Sequence, residues 1–598
     1  MPSTLVRVCL TASVLWLAAA SLVAAESPAT RQVDRSPVDV VLGPAGKWLV
    51  SVNQTSHAAS LVDLATRKVV DEIELGKHPI TAIRDRAGRV LISCRDTGTI
   101  HILEVDANKL RSVQTLTVGF HPHGLALSPD ESLLYVALEA SDQVAVIDMA
   151  KQETIAKIAT GRWPRYMAIS ADGKRLAVGA SGDRGVSVID CEKREQIFHE
   201  TFAGLNIGHL AIGGDGKVYF PWMVYRANTI TPNNIKLGWV LASRIGRLKL
   251  DGPNRREAFS LDPPGKAIAD VHGLAFTPDQ QRLVVSAAGT HELLVYKADG
   301  LPFKDYGGTD HVVPDLLADQ ERFTRIPLGG RPLGLRVADD NRTVYIANYL
   351  TNVIQVVDIN TREVIATIPL GSAPEVSLVR TGEALFYDAT RSLDQWYSCH
   401  TCHYEGGISS ERMDTLNDGT RNSFKTVLPL YNFAHTAPWT WHGWQKEPRA
   451  AMRKSMTETM LGPAPTGDDI SAMLAYFSQL QPPPNPFRQP DGSLSPAAER
   501  GKRVFEGQTA GCSNCHSGPY FTDGEIHDVG LNSRDDAYSG FNTPTLIGVY
   551  QRAKLLHDGR AKTLEDVLTG DHNPAKVTGN GDLSADELRD LIEYLKSL

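Results

Sequence analysis

The chain has 598 residues, with 61 Lys and Arg against 69 Asp and Glu and a formal net charge of -8. That length exceeds what one hydrophobic core organises, so two or three domains are expected. The acidic balance, with no basic stripe along the chain, excludes nucleic acid as a partner.

The N-terminus carries an export pattern. Arg7 precedes an apolar stretch from Val8 to Val23, and Val23-Ala24-Ala25 offers small residues for cleavage before Glu26. The stretch is shorter than the roughly 20 residues needed to span a bilayer, so residues 1–25 read as a cleaved signal peptide. The mature protein is expected in the periplasm, without integral membrane contact.

Residues 36–375 repeat with a period of about 40 residues. Units begin near Ser36, His78, His121, Trp163, Leu205, Ile268 and Arg331. Each reads as four strands of alternating apolar residues, with Pro-Asp, Asp-Gly and Asp-Asn pairs at the tight turns. Seven such units predict an all-β, seven-bladed propeller. The segments LYVALEASDQVAVID and VYIANYLTNVIQVVD resemble the YVTN-type propeller family, a likeness that implies a fold and no particular activity.

Two units are expanded, at Phe220–Arg247 and Leu301–Arg325, and such loops are expected on the face that meets the rest of the chain. His123 and His272 begin the innermost strands of the third and sixth units, with Arg165 at that place in the fourth. The two imidazoles are expected far apart round the ring, as solvated or turn-stabilising groups without a metal. Seven cysteines are present; Cys9 leaves with the signal, and Cys94 and Cys191 fall in different repeats, as unpaired thiols.

Near Pro374 strand repeats give way to helical patterns with Gly, Pro and His-rich connections. Residues 376–598 read as an all-α unit of two halves, about 376–480 and 495–598, separated by the Pro-rich segment Gln481–Pro490. Each half carries one Cys-x-x-Cys-His: Cys399-His400-Thr401-Cys402-His403 and Cys512-Ser513-Asn514-Cys515-His516. Two thiols two residues apart can add to haem vinyl groups, and the following His is the proximal iron ligand. A tetrathiolate zinc site would need a further cysteine pair, and a thioredoxin-like pair has no use for the His. The cofactors are therefore two covalently bound haem c groups, on Cys399 and Cys402 and on Cys512 and Cys515, with His403 and His516 on the irons.

The halves are copies of one another. Gly382 to Tyr387 matches Gly501 to Phe505, Phe424-Lys425-Thr426 matches Phe541-Asn542-Thr543, Trp441-His442-Gly443 matches Leu556 to Gly559, and Ser471 to Phe477 matches Arg589 to Leu595. The segments LFYDATRSLDQWYSCHTCH, GCSNCHSGPYFTDGEIHDVG and LLHDGRAKTLEDVL resemble the bacterial di-haem cytochrome c peroxidase and MauG family. The resemblance implies that the two halves face each other, that the second haem receives electrons and that the first reduces peroxide beside a distal Glu. Counting from His557 as that family does reaches His572 as a sixth ligand. The same count from His442 reaches Met456, and Met452, Met456 and Met460 recur every four residues, which places them on one helical face. Met460 or Met456 is the candidate sixth ligand of the first iron.

The sequence departs from the family where the distal acid belongs: Ala450 and Ala451 stand there, and Glu447 sits several residues early. The tryptophan between the haems is also not at its family position, although Trp439, Trp441 and Trp444 cluster nearby. The function expected is periplasmic electron transfer by a di-haem cytochrome whose propeller docks a redox partner, such as a small cytochrome or cupredoxin, or holds substrate. One alternative is a peroxidase or MauG-like enzyme using hydrogen peroxide, and another is a ligand-binding redox sensor. A pyridine haemochrome assay is expected to give two haems per chain, neither extracted by acid acetone.

Overall fold

The computed structural model describes residues 32–252, 257–305, 310–372 and 374–598; the signal peptide falls outside them. Seven antiparallel sheets follow one another along the chain, each built from consecutive strands. The innermost strands are Pro37–Leu42, Pro79–Arg84, Pro122–Leu127, Pro164–Ile169, a broken pair Gly204–Leu205 and Ala211–Ile212, Val271–Phe276 and Pro332–Val337. They surround a central channel as the blades of a propeller. Four blades begin with a left-handed residue before proline, at Ser36, His78, His121 and Trp163. That turn fixes the angle at which each inner strand enters the ring.

Among the described residues no strand is exchanged between the first and last blades. The backbone N–H groups of Arg35 and Ser36 both donate to Asn352 Oδ1 at 2.9 Å, and Asn352 in turn donates to Asp34. The fifth blade is larger than its repeat suggests. Strands Val218–Tyr225 and Leu241–Leu248 take up the two ends of the expected insertion, so only 226–240 leaves the blade, capped by the short helix Pro232–Lys236. In the sixth blade the excursion ends at the outer strand Phe323–Pro327.

The C-terminal unit sits on the face where the inner strands begin. Helices Leu378–Tyr387 and Gly467–Phe477 pack together in its first half, and Pro496–Glu506 and Ala585–Lys596 in its second. Glycine permits both contacts. A Cβ on Gly382 would lie 2.0 Å from Ala472 O, and one on Gly501 would lie 1.9 Å from Asp590 O. The unit is not the all-α one that the sequence suggested. It also holds two-residue ladders, Arg412–Met413 with Lys425–Thr426 and Ile526–His527 with Phe541–Asn542. These backbones are extended because they serve the join between the halves: Thr426 N–H donates to His557 O at 2.7 Å, and Asn542 N–H to Trp441 O at 2.8 Å. The matched segments of the two copies thus grip each other reciprocally.

The excursion of the fifth blade reaches the C-terminal unit, where Thr229 Oγ1 donates to Asp414 Oδ2 at 2.6 Å and Ile230 N–H to Asp414 O at 2.8 Å. Arg95 pairs with Glu405 at 2.8 Å, Arg165 lies 3.6 Å over the Tyr404 ring, and Arg331 lies 3.5 Å over Tyr387. Buried Asp270, from the sixth blade, accepts hydroxyl hydrogen bonds from Ser398 at 2.5 Å and Thr401 at 2.6 Å. Replacing it by Ala leaves two buried hydroxyls without an acceptor. Asp270→Ala is expected to cost about 2 kcal/mol, read as an earlier denaturant midpoint for the C-terminal unit and faster proteolysis near the join.

Candidate functional site

The first motif forms a one-turn helix, Cys399–Cys402, whose Ser398 and Thr401 close a capping box while both hydroxyls also bind Asp270. The propeller thereby fixes the orientation of the first cysteine pair. Cys399, Cys402 and His403 border a cavity of about 330 Å³ with largely apolar walls, among them Phe433, Trp439, Met452 and Phe477. Burial pushes both thiols up to about 12 and the His403 imidazole down to about 4.

The second motif borders a separate cavity of about 160 Å³, lined by Cys512, Cys515, His516, Phe505, Leu568 and His572 among others. His516 Nδ1 pairs with Phe521 O at 3.1 Å, which leaves Nε2 as the free ring nitrogen. His572 lies on the same cavity, and its buried Nδ1 has no hydrogen-bond partner. Burial lowers both imidazoles, His516 to about 4. Each cavity therefore offers two thiols and an imidazole along an apolar slot, the donor set and surroundings that a covalently held haem needs.

The methionine face divides. Residues Ser455–Thr459 wind as a π-helix, whose wider turn breaks the four-residue spacing. Met456 packs into the core with Phe386, Met473 and Tyr476, away from the cavity, whereas Met452 and Met460 border it. Met460 Sδ lies 3.6 Å from Cys399 Sγ. Glu447 is exposed and lies outside the cavity lining. The carboxylates that do border the cavity are Asp414 and Asp418. Asp414 accepts from Thr229, from Asn422 N–H at 2.6 Å and from Leu416 N–H at 3.1 Å; Asp418 accepts from the Thr420 hydroxyl and N–H.

Of the three clustered tryptophans, Trp441 lines both cavities. Its indole Nε1 donates to Thr426 O at 2.8 Å, which fixes the ring between the slots. Family spacing misplaced this residue. The reciprocal match of Trp441-His442-Gly443 with the second copy was the signal that could have found it, because the matched turns meet at the join. Beside it lies a buried charged cluster that the sequence reading missed. Asp536, whose side chain is 1% exposed, pairs with Lys425 and lies 3.2 Å from His557 Nε2 and 3.5 Å from His442 Nε2. Burial raises the Asp536 carboxyl, but the Lys425 ammonium and the Ser533 N–H outweigh it and hold the group below the usual carboxylate range.

In the propeller, His123 and His272 are brought together across the channel, contrary to expectation, because Tyr166 bridges them. Its ring centre lies 4.7 Å from that of His123 and 5.4 Å from that of His272. Cys94 and Cys191 are buried in separate blades.

A depressed Asp536 contributes stability that is complete above the unfolded value near 4 and is withdrawn as pH falls below it. The unfolding midpoint is expected to fall on acidification from about pH 5, with a flatter acid limb in Asp536→Asn.

A model of the family described as "Cytochrome D1 heme domain" matches residues 84–208, which lie in the propeller. Hydrazine synthase subunit gamma of Kuenenia stuttgartiensis is 30% identical over 273 residues, 37% of this chain and 77% of that protein. Methylamine utilization protein MauG of Methylorubrum extorquens is 27% identical over the same shares. A cytochrome-c peroxidase of a Pseudomonas species is 26% identical over 31% of this chain and 60% of its own length. The chain belongs to the family of hydrazine synthase subunit gamma, MauG and the cytochrome c peroxidases, and it carries the MauG-like unit behind a YVTN-type propeller.

Proposed function

We propose that the protein is an exported di-haem c-type cytochrome, a haem oxidoreductase that works mainly by passing electrons. The observation that carries this reading is the pair of apolar cavities, each bordered by one Cys-x-x-Cys-His loop and both bordered by Trp441. Cys399 and Cys402 would hold one haem, Cys512 and Cys515 the other, with His403 and His516 as iron ligands. Bound there, haem supplies one-electron chemistry at each site.

The side chains set what each site can do. His572, on the same slot as His516 and with an unpartnered ring nitrogen, would suit a second iron ligand there and would then close the second site to substrate. Met460 suits the corresponding role in the first site; Met456, turned into the core, does not. Trp441, held by Thr426 O, provides an aromatic step between the sites. Peroxide cleavage needs an acid placed to protonate the leaving hydroxide. Asp414 and Asp418 serve as acceptors to hydroxyl and backbone N–H groups, and Glu447 points to solvent.

A peroxidase or MauG-like activity is the second reading, supported by the names of the relatives. A ligand-sensing role is the third, supported by the cavity at one end of the propeller channel. Export to the periplasm rests on residues 1–25, and among the described residues no helix is long and apolar enough to cross a membrane. The second slot reaches the surface near Val577, 39% exposed, where a small cytochrome or cupredoxin could approach.

Paramagnetic resonance of the oxidised protein is expected to give low-spin signals, with one lost in His572→Ala. Peroxide turnover, oxidised or half-reduced, is expected to stay well below about 10 per second, and a rate at that level overturns the electron-transfer reading.

A further inference from the structure

The two slots differ in the charges that border them. The first carries Asp414, Asp418 and Lys425, each already partnered inside the protein, Lys425 by Asp536. The second is walled by apolar side chains and imidazoles, and among the described residues no Asp, Glu or Lys borders it. Its one permanent charge is the guanidinium of Arg552, which follows the single turn Val549–Gln551 and is 8% exposed. Among the described residues that side chain makes one hydrogen bond, from Nη2 to Thr545 O at 2.7 Å, and no ion pair.

A guanidinium presents five N–H donors in a planar fork, and here Nε and Nη1 have no acceptor among the described residues. Burial lowers Arg552 to about 10, which leaves it cationic at neutral pH. Enclosing such a charge without a counter-ion is destabilising, so the negative partner must come with whatever fills the slot. The internal repeat points the same way. Arg552 stands five residues before His557, and five residues before the matching His442 the first half has Ala437. The arginine is therefore no part of the scaffold the halves share; it belongs to the second slot.

We propose that Arg552 is a positioning residue whose free N–H donors receive a carboxylate of the group seated in the second slot. This rests on the haem reading and deepens it, because haem carries two propionate arms on one edge. Thr545, which holds the guanidinium, borders the first cavity, so the acid edge is turned towards the wall between the slots. The pairing also acts on the electron balance of the iron. A carboxylate that accepts charge-assisted hydrogen bonds stays ionised whether the iron is oxidised or reduced, and the guanidinium offsets its negative charge. The second site therefore gains one electron on reduction and binds no proton at that arm.

The test is an electrochemical titration of the holoprotein from about pH 5 to about pH 8, followed by optical and paramagnetic resonance spectra after a haem count. A chain without haem overturns the inference together with the proposed function, whereas with two haems present the outcomes bear on Arg552 alone. Arg552→Gln keeps a donor for Thr545 O and removes the charge. At the alkaline end one midpoint is expected to shift by about tenfold towards the oxidised form, about 59 mV lower, while the other stays. The shifted midpoint is expected to fall as pH rises, because an unpaired acid in an apolar slot binds a proton more readily once the iron is reduced. Arg552→Lys keeps the charge and is expected to restore most of the shift. His516, His527, His557 and His572 on the slot, with Asp523 and Asp536 beside them, are common to all three proteins, so their titration cancels in the comparison. A merely structural role would lower stability without moving one midpoint alone. Midpoints in Arg552→Gln that stay put or move alike, or a shift as large in Arg552→Lys, overturn the assignment. If Arg552→Gln does not fold, wild type decides: at least one midpoint is expected flat across the range, and two that both fall with pH overturn it.

Discussion

Between the sixth blade and the first cysteine pair, the Asp270 carboxylate accepts the hydroxyls of Ser398 and Thr401, and most of the site's geometry follows from that contact. A carboxylate enclosed by protein is destabilised unless donors meet it, and here both donors belong to the turn that presents Cys399 and Cys402. The turn therefore cannot rotate without exposing an unpaired charge. Arg95, Arg165 and Arg331 then grip Glu405, Tyr404 and Tyr387 around the same loop. The first site is built as much by the propeller as by its own half, whereas the second relies on its own helices and on the reciprocal join.

That join sets the two cavities side by side. Because the halves are copies, the segment that donates in one meets the turn that accepts in the other, and the arrangement places Trp441 against both cavities. The repeat is imperfect in a useful way. The second copy has Leu556 where the first has Trp441, so a single aromatic ring stands at the crossing instead of two competing for the space.

The propeller was legible because its information is local. Proline at the start of five of the inner strands, turn pairs such as Asp-Gly and Pro-Asp, and two-residue alternation recur along the blades and survive without tertiary context. The two cysteine motifs and their histidines were legible for the same reason. What escaped depends on contacts distant in sequence or on a backbone irregularity. Asp536 has no counterpart in the first half. Met456 and Met460 were placed on one face by a helical period that the π turn at Ser455–Thr459 does not keep. The channel histidines looked remote because blade number says nothing of how narrow the centre is once a tyrosine reaches across it.

Closure of the ring without an exchanged strand bears on the order in which the molecule can be assembled. The last propeller strand ends at Pro369 and the clasp at Asn352 needs only residues near Arg35, so every blade exists before Cys399 emerges from synthesis or from a translocation pore. The platform that orients the first cysteine pair is thus in place ahead of the cysteines themselves. A chain made N-terminus first would have that pair already seated, while the second pair waited for the C-terminal helix Ala585–Lys596 to complete its half.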